Sequence, residues 1–172
     1  MKGLNKHISG KNALYYSDEI AEAQKDEDKM DFDPGLGLEE ILEFFDDPLK
    51  NEIIELNAKL HGLEGTAVLN AHGGDDNGKW VYQDGHENYF SVQKWVNELD
   101  GRYALLCLCC CNPGHNEIHS RKSAVLVANN DLDMLFKDSG RFQVELYLPK
   151  RGYITDYIFE YELGRLRKKV NP

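Results

Sequence analysis

The sequence predicts an α/β domain with a mainly parallel central sheet flanked by helices, on three observations. Apolar runs at residues 66–71, 103–110 and 123–128 lack the alternation of half-exposed strands and end in turn-forming residues, as strands covered on both faces do. A helical pattern separates the first two runs, and the order strand, helix, strand, loop, strand implies parallel pairing through right-handed crossovers. The chain has 172 residues, 41% hydrophobic and 29% charged, which suits one packed domain over 1–172 rather than two.

Taken in order, residues 7–16 form a first strand through Ala13, Leu14, Tyr15 and Tyr16. Residues 17–33 are dense in Asp, Glu and Lys without periodicity, the mark of an exposed acidic loop or linker. Beyond the turn Asp33-Pro34-Gly35, the spacing of Ile41, Leu42, Phe45, Leu49, Ile53, Leu56 and Leu60 predicts a helix broken at Pro48, or two in succession, stopping at His61-Gly62.

The strand at 66–71 runs into His72-Gly73-Gly74, and residues 75–85 are a polar loop with a short hairpin at Lys79-Trp80-Val81-Tyr82. Ser91 caps a helix whose Val92, Trp95, Val96 and Leu99 share one face, with Asp100-Gly101 as its stop. The second strand, 103–110, ends in Cys111-Asn112-Pro113-Gly114, and the third, 123–128, in Asn129-Asn130-Asp131. Phe142, Val144, Leu146 and Leu148 alternate as a half-exposed edge strand does. The spacing of Ile154, Tyr157, Ile158 and Tyr161 suggests a closing helix, with a strand as the alternative for such β-branched and aromatic content. Arg165, Arg167, Lys168 and Lys169 read as a solvated helix end.

Composition excludes several functions. A net charge of -10 repels a phosphate backbone, so nucleic acid is not expected as a partner. No run approaches the ~20 apolar residues of a membrane span, and none of signal-peptide length follows Met1, so neither membrane nor export is expected and the cytoplasm is the predicted location. Cys107, Cys109, Cys110 and Cys111 fall within five positions, which suits reduced thiols rather than disulfides that staple distant segments.

In an open parallel sheet, loops at the carboxyl ends of adjacent strands converge on one crevice. His72 and Cys111 both stand at such ends. A thiolate is the reactive form of cysteine, and an imidazole beside it can take the thiol proton and return it to a leaving group. Gly73 permits close backbone approach, and its N–H together with that of Cys111 can hold a developing oxyanion. Cys107 and Cys109 read as buried packing residues and Cys110 as the fallback nucleophile.

Two motifs carry a family resemblance. Val68-Leu69-Asn70-Ala71-His72-Gly73 is an apolar strand ending in His-Gly, and Leu106-Cys107-Leu108-Cys109-Cys110-Cys111-Asn112-Pro113-Gly114 is one ending in a cysteine followed by glycine. Together they resemble the caspase-like cysteine peptidases: caspases, metacaspases, legumain, clostripain, separase and the bacterial CHAT peptidases, the last most of all in the glycine three positions after the cysteine. The resemblance spans residues 66–131 and implies a three-layer caspase-like sandwich. It further implies a Cys111/His72 dyad that hydrolyses peptide bonds in a protein or peptide substrate without a cofactor or metal, and it leaves room for a homodimer or a regulatory partner chain. Members that cleave after basic residues often carry an acid two positions before the cysteine. Cys109 stands there, so that preference does not follow and the substrate-binding residues are unknown.

Alternatives stay open at this point. Asp84, Asp131 and Asp133 lie in loops able to reach the crevice but read first as solvated acids. Cys111, His115 and His119, with His72, have a spacing that admits a zinc site, although Asn112-Pro113-Gly114 forces a turn between the first two. A catalytically silent caspase-like binding module and a redox protein using the cysteine cluster are the other readings. Trp80, Tyr82, Tyr89 and Trp95 are candidates to line a cleft, with Trp95 expected to pack its helix on the sheet. His7, His61 and His86 read as surface residues without partners.

Overall fold

A computed structural model of the protein describes residues 2–26, 51, 65–128, 139–149, 152–162 and 165–170. The first predicted strand is two: β1 (Asn5–Ser9) and β2 (Asn12–Tyr16) form an antiparallel hairpin. Its turn at Gly10-Lys11 uses a left-handed glycine, φ 57°. The start of the acidic segment is likewise not a loop. Helix α1 (Asp18–Asp26) begins there, with Ser17 buried at its start and accepting from Ile20 N–H through the side chain, 3.4 Å, and from Ala21 N–H through the backbone, 3.1 Å. Charge density hid a helix whose Ile20 is buried. The helical pattern over 38–60 lies outside the described residues, apart from Asn51, which is helical.

The first buried run is β3 (Thr66–Asn70), which pairs in parallel with β2. The loop expected next is a small antiparallel sheet of β4 (Gly73–Asp76), β5 (Lys79–Gln83) and β6 (Tyr89–Ser91). Asn77 and Gly78, at φ 51° and 79°, make its first turn, as an Asn-Gly pair between strands favours. Helix α2 (Val92–Leu99) follows with Ser91 as its cap, the hydroxyl accepting from Lys94 N–H at 3.2 Å. The second and third runs are β7 (Leu105–Cys109) and β8 (Ala124–Ala128), each parallel to the strand before it in the sheet.

The remainder departs from expectation. β9 (Ser139–Leu148) is no edge strand, because β8 and β10 (Gly152–Glu162) both pair with it, antiparallel. The anticipated closing helix is β10, and the basic tail is the edge strand β11 (Arg165–Val170) rather than a helix end. In β10 the β-branched and aromatic residues prevailed over helical spacing.

The large sheet therefore runs β1-β2-β3-β7-β8-β9-β10-β11, with a parallel centre of β2, β3, β7 and β8 and antiparallel flanks. The chain is α/β, with a mixed sheet and with α1 and α2 as the helices delimited among the described residues. Ala13, Ala67, Leu106, Val125 and Tyr147 stand in one row across five strands. That face packs against Val92, Trp95, Val96 and Leu99 of α2 and against Trp80 and Tyr82 of β5. Trp95 is buried as expected and meets Tyr15 edge-on, ring centroids 5.6 Å apart. The alternate row, Leu14, Val68, Cys107, Leu126 and Leu146, presents to the opposite face.

Candidate active site

β3 and β7 finish level with each other. Their last in-register pair is Asn70 with Cys109, and two residues further along each chain stand His72 and Cys111. Both lie just past the strand ends, on the loops that leave neighbouring parallel strands. Their backbones abut. A Cβ built on Gly73 would stand 2.7 Å from Cys111 N and would overlap Cys111 O. Gly73 is not in the left-handed region; glycine is required there by the closeness of the Cys111 backbone.

Cys110, the residue before Cys111, lies in the packed face, where it is fully buried. Burial, reinforced by Cys109 and Cys111 nearby, pushes its thiol well above the usual range, and burial does the same for Cys107. The Cys109 thiol is pushed up to about 12 by desolvation. The fallback nucleophile thus sits in the core as a thiol, whereas Cys111 is part-exposed. None of the cysteines is in a disulfide.

Trp80 and Asn112 fix the loop that carries Cys111. The buried indole of Trp80 donates from Nε1 to Cys111 O at 2.8 Å. Buried Asn112 closes the turn after it, donating from Nδ2 to Asn116 O at 2.9 Å and accepting from Asn116 N–H at Oδ1, 3.0 Å. Asn116 Nδ2 in turn donates to Asp75 Oδ1, 2.9 Å, on β4. Gly114 lies against that pair, since a Cβ there would stand 2.6 Å from Asp75 Oδ1. The loop that carries Cys111 and the small sheet after His72 are therefore tied at two points, by Trp80 of β5 and by Asn116 to Asp75 of β4.

His72 is half-exposed, and its carbonyl accepts from Gln83 N–H at 2.8 Å, which holds it to β5. Its Nε2 lies 3.6 Å from Glu19 Oε1, a residue that the reading of 17–33 as a linker passed over. The signal was present: Ser17 followed by Asp18 and Glu19 ahead of a buried Ile20 is a helix start. Several contacts fix that start. Ser17 N–H donates to Asn70 O, 3.2 Å; Asn5 Nδ2 donates to Asp18 Oδ1, 2.7 Å; and Gly85 packs on Glu19, where a Cβ would come within 2.9 Å of Glu19 Cβ.

His86 is on the surface but has a partner, Asp18 Oδ2 at 3.0 Å from its Nε2. The hydrogen bond to Asp18 raises the His86 pKa above 6.5, and the bonds from Asn5 and His86 lower that of Asp18 below 3.8. A raised imidazole contributes stability in full below its unfolded pKa, lost as pH rises through the folded value; a depressed carboxylate contributes above its unfolded pKa, lost as pH falls through the folded one. The clasp is therefore strongest on the acid side of neutrality, above the Asp18 titration. Replacing His86 with alanine should speed amide hydrogen exchange in the first turn of α1 at about pH 5.5 and leave it unchanged at about pH 9. Equal effects at both would rule out the charged pair.

The other candidates divide. Asp84 is buried and caps its own loop, accepting from His86 N–H at 2.7 Å, Asn88 N–H at 3.2 Å and Asn88 Nδ2 at 2.8 Å. Asp131 and Asp133 lie outside the described residues. His119 rests edge-on to Tyr147, 5.7 Å between ring centroids, with Nε2 3.7 Å from Glu117 Oε2. Among the described residues no three His, Cys, Asp or Glu side chains gather in a metal-holding group, so Cys111, His115, His119 and His72 do not converge as a zinc site needs. Trp80, Tyr82 and Trp95 are core residues; Tyr89 is exposed.

Among the described residues no helix is long and apolar enough to cross a membrane. Compared with known proteins, the chain matches no family model, no curated protein and no solved structure.

Proposed function

We propose that this chain is an intracellular caspase-like cysteine peptidase, built on a three-layer version of its α/β fold, with Cys111 as nucleophile and His72 as general base and acid. One observation carries the reading: β3 and β7 end in register, and Gly73 lies directly on the Cys111 backbone beside its imidazole neighbour. His72 takes the thiol proton as the Cys111 sulfur bonds to the scissile carbonyl carbon. The carbonyl oxygen gains negative charge, with the N–H groups of Gly73 and Cys111 as its donors. Collapse breaks the C–N bond, the amine leaves with the proton from His72, and water, deprotonated by the same ring, releases the acyl group and restores the thiol. The reading involves no metal or cofactor. Substrates are peptides or proteins, and thiols kept reduced suit a cytoplasmic setting.

The test has two parts. Native protein treated with iodoacetamide near neutral pH and mapped by mass spectrometry should be alkylated at Cys111 first, with Cys107, Cys109 and Cys110 reacting only after denaturation. A mixture of fluorogenic peptides should be cleaved by the wild type and not by Cys111→Ala. Selective alkylation without cleavage would move the protein to the silent binding module. Alkylation of Cys111 no faster than in the denatured chain would sink the peptidase.

A further inference from the structure

We infer that Glu19 is the positioning residue for His72, giving the dyad an acidic third member from the first turn of α1; this rests on the peptidase reading of His72 and Cys111. The carboxylate lies on the Nε2 side of the ring at 3.6 Å, and both side chains are half-exposed. That separation exceeds a hydrogen bond, so the interaction is electrostatic in the resting enzyme, and such contacts tighten once substrate excludes water. An acceptor on the Nε2 side favours the tautomer with its proton there. Nδ1 is then the atom left with a lone pair for the thiol of Cys111. When Nδ1 accepts that proton the ring becomes a cation, and the Glu19 charge stabilises it without taking a proton itself.

The placement of Glu19 argues that it is held for this purpose. α1 starts directly after β2, the strand beside β3, and Ser17 N–H is bonded to Asn70 O, two residues before His72. The flanking residue Asp18 is bound from both sides by Asn5 and His86, and Gly85 presses on the Glu19 backbone and Cβ. The carboxylate is therefore delivered from a fixed helix end instead of a wandering side chain in an acidic segment.

The experiment compares Glu19→Gln, Glu19→Asp and Glu22→Gln in the full chain, the last removing an acid from an exposed position on the same helix. Three readouts apply: the ring ¹⁵N shifts of His72, the alkylation rate of Cys111, and kcat and KM on any peptide the wild type cleaves. Glu19→Gln should shift His72 toward a mixture of tautomers, slow alkylation and lower kcat about three- to thirtyfold with KM unchanged. Glu19→Asp should restore part of each, and Glu22→Gln should match the wild type. Wild-type ring shifts and alkylation rate in Glu19→Gln would overturn the assignment, as would an equal response to Glu22→Gln. If the wild type cleaves no peptide the peptidase reading falls by itself, while the ring shifts and alkylation still decide the role of Glu19.

Discussion

Replacing His72 with alanine should slow peptide hydrolysis by about 10²–10⁴-fold and slow alkylation of Cys111, while the melting temperature stays close to that of the wild type. The separation of these effects follows from where the residue stands. The imidazole is half-exposed and outside the packed core, so its removal leaves no cavity. The main-chain bond from Gln83 N–H to His72 O does not depend on the side chain and should keep the strand end in place. What is lost, on the proposed reading, is the acceptor for the thiol proton and the donor for the departing amine. The decisive measurement is kcat/KM beside a thermal melt: an active alanine variant would show that another group handles the proton, and a variant inactive only because it unfolds would betray itself in the melt.

Gly73→Ala should be severe for the opposite reason. The added methyl would overlap Cys111 O and stand 2.7 Å from Cys111 N, backbone atoms that cannot swing aside as a side chain can. Either β4 or the Cys111 loop has to shift. Overpacking of this kind costs about 1–3 kcal/mol, and both donors of the proposed oxyanion site lie at the point of collision. We expect a lower melting temperature, loss of peptide cleavage, and Cys111 alkylation slowed toward that of the denatured protein. Gly74→Ala serves as the control, because a Cβ there meets its nearest atom, Gln83 Nε2, at 3.7 Å. A Gly73→Ala protein with normal cleavage would contradict the proposed close seating.

The parallel centre was legible because its strands are covered on both faces and so read as unbroken apolar runs; 66–71, 103–110 and 123–128 gave β3, β7 and β8. That His72 and Cys111 leave the ends of neighbouring strands was legible by the same logic, since adjacent parallel strands end side by side. The meander was not. Alternation in 142–148 cannot distinguish a strand with one neighbour from a strand with two, and β10 has helical spacing among residues that prefer strands. The Asn77-Gly78 turn between β4 and β5 was readable but was submerged in a glycine-rich, polar stretch. The contact of Glu19 with His72 lay beyond reach for a different reason: it joins segments far apart in sequence, although the capped helix start that brings Glu19 there was written in Ser17, Asp18 and Ile20.

His72 also has a mechanical setting. Ala71 and His72 are the whole connection between β3 of the large sheet and β4 of the small one. The small sheet grips both partners, His72 through Gln83 and Cys111 through Trp80. That sheet is itself anchored, with Trp80 and Tyr82 in the core and β6 running directly into α2, so both loop ends are held to one packed face. On the proposed reading, a substitution in β5 that loosened this packing would disturb the His72 and Cys111 loops together.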